Sequence, residues 1–318
     1  MTPIEPARSA NPDGMRRFFY GPAGLRAGWR LLIFIAIVEA LIGIEGLLLR
    51  MFPPITDKIT RGFFFEVSTI LIVLLASSIM AKIEGRTIAD YGLPWRRMFR
   101  TQFWQGIVLG FTSLTALLVA MRMAGVFSFG TIALHGAAVL QWAALFGVGF
   151  FFVALKEEFM IRGYALFALS EGIGFWPAAI VWSAFFGYSH LGNTGETWVG
   201  GMNAGLGGLA FCLLLRRTGN LWMAIGFHTA FDWGETFFYG VPDSGIVLPG
   251  HLFNPSIAGP VWLSGGTVGP EGSWLCTAMV AVLALVIAAW FREAKYPNFS
   301  KVTAQTDHPV QITVPAGT

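Results

Sequence analysis

The chain has 318 residues, of which 55% are hydrophobic and only 12% are charged. A soluble domain usually carries about 25% charged residues, and the mean hydropathy here is +0.63. The net charge of +3 comes from basic residues that lie between apolar runs rather than in one patch, which argues against a nucleic-acid partner. Several apolar runs reach the roughly 20 residues that a membrane-spanning helix needs. The sequence therefore predicts an integral, multi-pass membrane protein.

Eight apolar segments are predicted to span the membrane as helices, which gives an all-α, polytopic membrane helix bundle. A disordered tail is expected over residues 1–20, and three spans follow within residues 21–136. Residues 137–240 are expected to form the core, residues 241–292 a long extracytoplasmic loop and the last span, and residues 293–318 a second disordered tail. The spans are predicted at about 31–49, 63–81, 103–121, 137–155 with an unbroken continuation to 170, 175–190, 199–215, 220–239 and 274–291.

The distribution of Arg and Lys predicts which side of the membrane each loop occupies. Basic residues concentrate in the N-terminal segment, in the loop after the second span, after the sixth span and in the C-terminal tail, whereas loop 240–272 has none. Cytoplasmic loops carry the excess of Lys and Arg. Because an even number of spans leaves both termini on one side, both are expected to be cytoplasmic.

Ionisable residues inside predicted spans are the strongest functional signal in the sequence. Each costs at least ~2.5–3.5 kcal/mol at the centre of a membrane, so such residues are functional candidates by default. Three acidic residues near the ends of the first two spans, Glu39, Glu45 and Glu66, are interpreted as packing or interfacial residues. The others concentrate in the fourth, fifth and seventh spans: Lys156, Glu157, Glu158, Arg162, His190, His228, Asp232 and Glu235.

Helical spacing assigns different roles to the two adjacent glutamates. At about 100° per residue, Glu158 and Arg162 lie about 40° apart on one helix face, which predicts an i,i+4 ion pair. Glu157 points about 140° away from Arg162 and is expected to have no close cation. A desolvated carboxylate of that kind can act as a base. His228 and Asp232 are also four residues apart, so the carboxylate can orient the imidazole, and Glu235 continues that face.

Three motifs in these spans resemble those of the CPBP family of intramembrane proteases, also called the CAAX protease and bacteriocin-processing (ABI) family. The Glu-Glu-x-x-x-Arg motif corresponds to Glu157–Arg162, Phe-x-x-x-His to Phe186–His190, and His-x-x-x-Asn/Asp to His228–Asp232. Each motif is weak alone, but three in order on apolar helices are a specific signal. The resemblance covers about residues 137–240, and it implies an intramembrane endopeptidase in a bacterial cytoplasmic membrane that acts on a membrane-associated peptide or protein.

The resemblance also implies roles for individual residues. Glu157 and His190 would activate water, Glu158 and Arg162 would complete the first motif, and His228 and Asp232 would stabilise the oxyanion. Asp232 departs from the Asn variant, because an ionised carboxylate cannot donate to an oxyanion; it must be protonated, orient His228 or bind a metal. The family has been described both as metal-dependent and as a glutamate protease. Glu157, His190 and His228 are credible Zn²⁺ ligands, but no His-Glu-x-x-His is present.

Two other classes of function fit part of the same pattern. Intramembrane Glu and His residues also serve transporters and proton relays, although these candidates cluster in neighbouring spans. A non-catalytic scaffold or immunity factor would retain the helices without the reaction. A serine protease is disfavoured because no Gly-x-Ser-x-Gly motif is present.

Overall fold

The computed structural model describes residues 12–21 and 24–297, and within them the predicted all-α helix bundle is confirmed. A π-helix, Gly234–Tyr239, continues α9, and short 3₁₀ turns lie at Ile88–Tyr91, Trp95–Arg97 and Pro270–Gly272. The α-helices are α1 (Pro12–Phe19), α2 (Ala27–Leu49), α3 (Lys58–Ile83), α4 (Thr101–Met123), α5 (Ala137–Arg162), α6 (Tyr164–Ile173), α7 (Phe175–His190), α8 (Trp198–Thr218), α9 (Trp222–Trp233), α10 (Val261–Ser264) and α11 (Trp274–Trp290). The strands are β1 (Tyr20–Gly21), β2 (Gly24–Leu25), β3 (Phe127–Ile132) and β4 (Phe253–Ile257).

Helix length divides the bundle into long helical segments and shorter helices. Among the described residues, five helical segments are long and apolar enough to cross a membrane: Ala27–Leu49, Lys58–Ile83, Thr101–Met123, Ala137–Ile173 and Trp198–Thr218. Helices α7 and α9 have 16 and 12 residues, and α11 has 17. Helix α9 is buried on nearly every side, as expected of a helix that is apolar all round. It is therefore the central helix of the bundle.

The fourth predicted span is broken at Gly163, which the sequence interpretation missed. The backbone of Gly163 has φ −84° and ψ −122°, which ends α5 before α6 begins. A Cβ at this position would lie 2.3 Å from the carbonyl oxygen of Phe159, so the break requires glycine. A single glycine is also tolerated within helices, and the apolar pattern therefore continues through the break unchanged.

Glycines allow the helices that carry the motifs to pack at very short range. A Cβ at Gly110 of α4 would lie 2.2 Å from the carbonyl oxygen of Phe227 on α9. A Cβ at Gly187 of α7 would lie 2.4 Å from the carbonyl oxygen of Gly201 on α8. Small residues at such contacts let membrane helices approach closely. These contacts fix α9 and α7 beside their neighbours and so fix the positions of His228 and His190.

Strands β3 and β4 attach the long loop 240–272 to the segment after α4. They pair antiparallel, with Phe127 opposite Ile257 and Ile132 opposite Phe253. The sequence interpretation contained no strand, because neither short segment has a distinctive pattern and the pairing joins residues far apart in the chain. The pairing anchors the loop against the bundle.

The two tails differ in part from the expected disorder. Residues 12–20, expected to be disordered, form α1 and the start of β1, and Phe18 and Phe19 contact the ring of Trp29. In the C-terminal tail, Tyr296 is buried and the backbone N–H of Lys295 donates to the carbonyl of Arg216 at 2.7 Å. Both segments therefore contact other parts of the chain. The disorder expected for residues 1–11 and 298–318 lies outside the described residues.

A network of ion pairs joins α2, α3 and α6. Arg30 donates to Glu84 at 2.6 and 2.8 Å and also contacts Glu171. Arg86 donates to Glu171 at 2.8 Å, and the hydroxyl of Tyr164 donates to Glu84 at 2.6 Å. Arg30 and Arg86 belong to the N-terminal segment and to the loop after the second span, whose basic residues predicted the cytoplasmic side. In the structure they also hold three helices together.

Candidate active site

Four of the residues singled out in the sequence line one cavity of about 580 Å³: Glu157, His190, His228 and Asp232. They come from α5, α7 and α9, which are consecutive motif-bearing helices. Apolar side chains form much of the remaining wall, including Phe186 and Phe211. A cavity between helices with inward-facing polar groups is a common way for bundles to build a site.

The predicted ion pair between Glu158 and Arg162 is present. Arg162 Nη1 lies 2.8 Å from Glu158 Oε2, and both side chains are 0% exposed. The guanidinium also donates from Nε to the carbonyl of Gly208 at 3.2 Å. Its centre lies 5.0 Å from the ring of Phe186 and 5.5 Å from that of Phe211. Arg162 therefore links α5 to the wall of the cavity.

Glu158 has a second partner, His228, which the sequence did not reveal. Glu158 Oε1 lies 2.9 Å from His228 Nδ1, and an ionised carboxylate accepts the Nδ1 proton. Asp232, which was expected to orient the imidazole, lies 3.4 Å from the other nitrogen, Nε2. A carboxylate that accepts a hydrogen bond from one imidazole nitrogen fixes the ring and leaves the other nitrogen available for chemistry. Glu158 therefore orients His228, and Nε2 lies on the side of Glu157 and Asp232.

The expectation that Glu157 has no close cation is wrong. Lys156 Nζ lies 3.1 Å from Glu157 Oε1 and 2.7 Å from Glu66 Oε2 on α3. The Cα–Cβ bonds of adjacent residues on a helix point in different directions. The lysine side chain is nevertheless long and flexible enough for its ammonium group to reach the carboxylate of Glu157. Glu66 is therefore an ion-pair partner rather than an interfacial residue. The other oxygen of Glu157, Oε2, lies 3.8 Å from His228 Nε2.

His190 is held in one tautomer by its own helix. Its Nδ1 lies 2.8 Å from the carbonyl oxygen of Phe186, which can only accept, so Nδ1 carries the proton. In the neutral ring this leaves the lone pair of Nε2 available as a base. The Phe186 ring lies 4.4 Å from the imidazole, as the i,i+4 spacing predicts. Ser189 Oγ donates to the same carbonyl at 2.7 Å.

Loop 240–272 contributes acidic and hydroxyl side chains that the sequence interpretation did not include in the site. Asp243, Ser244 and Glu271 line the same cavity. Ser244 donates from its backbone N–H and its hydroxyl to Glu271, both at 2.9 Å. Burial, together with Asp232 and Glu271, raises the pKa of Asp243 well above its usual range. The absence of Lys and Arg from this loop was the available signal, but it was used only for topology.

The expected zinc ligands Glu157, His190 and His228 lie on three different helices, α5, α7 and α9. Within residues 12–21 and 24–297, the ligand atoms of these three residues do not all lie within 4.8 Å of one another. Those of Asp232, Glu235 and Asp243 do. Three ligand atoms that bind one zinc ion each lie about 2 Å from the metal. They must therefore lie closer to one another than the ligand atoms of Glu157, His190 and His228 do. The arrangement therefore does not fit a zinc ion on Glu157, His190 and His228.

Comparison with known proteins agrees with the motifs. Residues 138–234 match the family model described as Type II CAAX prenyl endopeptidase Rce1-like. No curated protein and no solved structure matches the chain. The matched range contains all three motifs, from Glu157 to Asp232, together with α6 and α8 between them. Residues 138–234 of this chain therefore match the CPBP/CAAX protease family that the three motifs resemble.

Proposed function

We propose that this protein is an intramembrane endopeptidase that hydrolyses a peptide bond of a membrane-associated substrate. The observation that carries the proposal is the cavity lined by Glu157, His190, His228 and Asp232. A reaction site needs a base, groups for the developing negative charge and space for a water and a peptide. The family match over residues 138–234 supports the same class of reaction.

In the proposed mechanism, Glu157 and His190 activate a water molecule for attack on the peptide carbonyl. His190 offers the lone pair of Nε2, because Phe186 holds the proton on Nδ1. Glu157 accepts the water proton and returns it to the leaving amine. Lys156 orients one oxygen of Glu157. The other oxygen, Oε2, is left available to the water molecule in the cavity. General-base groups of this kind typically contribute about 10²–10⁴-fold to rate.

His228 and Asp232 would stabilise the oxyanion. When it carries a proton on Nε2, His228 donates to the developing negative charge while Glu158 holds its other nitrogen. Asp232 can donate only in its protonated form, and otherwise it orients His228 from 3.4 Å. Pre-oriented donors are among the largest contributors to catalysis of acyl transfer.

The proposal is tested by comparing cells that produce the wild-type protein, His190→Ala or Ser189→Ala. Sequencing the N-termini of membrane proteins should reveal cleavages that require the wild-type protein and disappear with His190→Ala. Ser189→Ala is the matched control, because Ser189 contacts the same Phe186 carbonyl but has no role in the reaction. Peptides spanning the cleaved bonds are then assayed with purified protein, and 1,10-phenanthroline, which removes zinc, should leave hydrolysis unchanged.

Two results would contradict this reading. Inhibition by phenanthroline with recovery on adding Zn²⁺ would overturn the metal-free mechanism. If no cleavage depended on the wild-type protein and reconstituted vesicles showed proton or solute flux, the transporter alternative would replace the protease.

We also propose eight spans with both termini in the cytoplasm, formed by α2, α3, α4, α5 with α6, α7, α8, α9 with the π-helix, and α11. The native cysteines, Cys212 and Cys276, are buried, so single exposed cysteines can report sidedness. Val247→Cys in loop 240–272, at a position 60% exposed, should react with an impermeant maleimide added outside intact cells. Lys82→Cys, on the opposite side, should react only after permeabilisation. The reverse labelling pattern would overturn this topology.

A further inference from the structure

Three buried or partly buried carboxylates meet where α9 passes into the π-helix. One oxygen each of Asp232, Glu235 and Asp243 can be chosen so that all three lie within 4.8 Å of one another. Asp232 ends the third motif, Glu235 lies one turn later, and Asp243 comes from loop 240–272. Neither Glu235 nor Asp243 belongs to a motif of the family, so the reaction proposed above gives a role to Asp232 but not to the other two carboxylates.

Glu235 has no partner among the residues that the structure describes. Its side chain is 0% exposed, and neither carboxylate oxygen has a hydrogen-bond partner in the described part of the chain. Buried polar groups are almost always hydrogen-bonded, and a buried charge is ordinarily paired or bound to a metal. Both oxygens of Glu235 lack a partner within the described residues, and one of them lies within 4.8 Å of oxygens of Asp232 and Asp243. This arrangement indicates a missing positive partner.

The surroundings supply little positive charge to this cluster. Within the described residues, the ion pairs of Asp232, Glu235 and Asp243 include no Lys or Arg; His228, 3.4 Å from Asp232, is the nearest basic group. Loop 240–272 contains no Lys or Arg. Glu271 adds a fourth carboxylate at the same cavity, which increases the local negative potential further.

We propose that Asp232, Glu235 and Asp243 bind a hard divalent cation such as Ca²⁺, Mg²⁺ or Mn²⁺. The donor set consists only of carboxylate oxygens, which these cations prefer, whereas zinc sites usually contain nitrogen or sulfur ligands. Asp232 and Asp243 line the cavity, which gives the ion a route to the site, whereas Glu235 is fully buried. Thr236 supports the site by donating to Asp243 Oδ2 at 3.2 Å.

The cation would join the loop to the central helix. Asp243 lies on the loop and Asp232 and Glu235 lie on α9 and its continuation, so one ion bound to all three fixes the loop over the cavity. It would also keep Asp232 ionised, and in that form Asp232 can orient His228 but cannot donate to an oxyanion. Binding of the cation would explain why position 232 is Asp in this chain, although the family motif has either Asn or Asp there.

The test measures Mn²⁺ binding to the purified full-length protein after treatment with a chelator, from the loss of the electron paramagnetic resonance signal of free Mn²⁺. One saturable site per chain is expected, with Ca²⁺ or Mg²⁺ in competition. Glu235→Gln and Asp243→Asn should each weaken binding at least about tenfold, because affinity depends on the number of charged ligands. The matched control Glu39→Gln, at an exposed position on α2, should bind as the wild type does. Bound Mn²⁺ should also slow proteolysis of loop 240–272.

The outcomes separate this site from a group of carboxylates that share protons, and from the protease itself. If the wild-type protein binds no Mn²⁺, or if both variants bind with wild-type affinity, the proposal is overturned and shared protons replace it. If Glu235→Gln does not fold, Asp243→Asn on the loop decides by the same measurement. Because binding is measured without substrate, failure of the proposed peptidase reaction would leave this result unaffected.

Discussion

Replacing Glu157 by glutamine should lower the rate of peptide hydrolysis by about 10²–10⁴-fold, the contribution typical of a general base. The amide has nearly the same size but cannot take a proton from water. Folding should stay close to wild type, because Lys156 keeps its 2.7 Å contact with Glu66. The measurement is kcat for a cleaved peptide beside the thermal unfolding temperature of the same preparation in detergent.

The matched control for this change is Glu66→Gln. It removes the other carboxylate that contacts Lys156 and leaves Glu157 in place. If loss of the ion pairs were the cause, Glu66→Gln would lower activity as much as Glu157→Gln. We expect a much smaller loss from Glu66→Gln. A Glu157→Gln protein that hydrolyses the peptide at a wild-type rate would remove Glu157 from the mechanism.

Replacing Glu158 by glutamine should instead lower the free energy of unfolding by about 3–5 kcal/mol, because it leaves Arg162 buried without a charged partner. Arg162 and Glu158 are both 0% exposed, so water cannot replace the lost carboxylate. Activity should fall as well, since Glu158 holds Nδ1 of His228. Denaturant unfolding in detergent measures the first effect, and kcat of the fraction that remains folded measures the second.

A double variant separates the two roles of Glu158. Adding Arg162→Met to Glu158→Gln removes the unpaired charge, and stability should partly recover, because replacing both members of a buried ion pair costs much less than removing one. Activity should not recover, because His228 still lacks its carboxylate. Glu39→Gln, on the exposed side of α2, should change stability by no more than about 0.5 kcal/mol. Unchanged stability of Glu158→Gln would show that Arg162 does not depend on this pair.

Features that depend on near neighbours in the chain could be predicted from the sequence. The apolar runs predicted the helices, since about 20 such residues form a spanning helix whatever surrounds them. The pair between Glu158 and Arg162 was predictable because i,i+4 residues meet on any α-helix. The positions of Glu157, His190 and His228 on three helices followed from the motifs, and the family match over residues 138–234 agrees with them.

Only the tertiary structure decided which partner each charged group has. Glu158 contacts His228 from 70 residues away, and Lys156 contacts Glu66 on α3. Such contacts depend on how each helix is rotated against its neighbours, and helical periodicity does not encode that rotation. The predicted isolation of Glu157 failed for this reason and because a lysine side chain is long enough to bend back to the adjacent residue.

The same reason explains the part of the site that comes from loop 240–272. Composition alone predicted a loop there, because Gly, Pro and Ser have no periodic pattern. The pairing of β3 with β4 and the contact of Ser244 with Glu271 bring Asp243 to the cavity. The sequence by itself therefore determined a membrane-embedded helical chain with ionisable motif residues on three helices. The packing of glycine-containing helices and the folding of the loop decided where those ionisable groups meet, because both join residues that are distant in the chain.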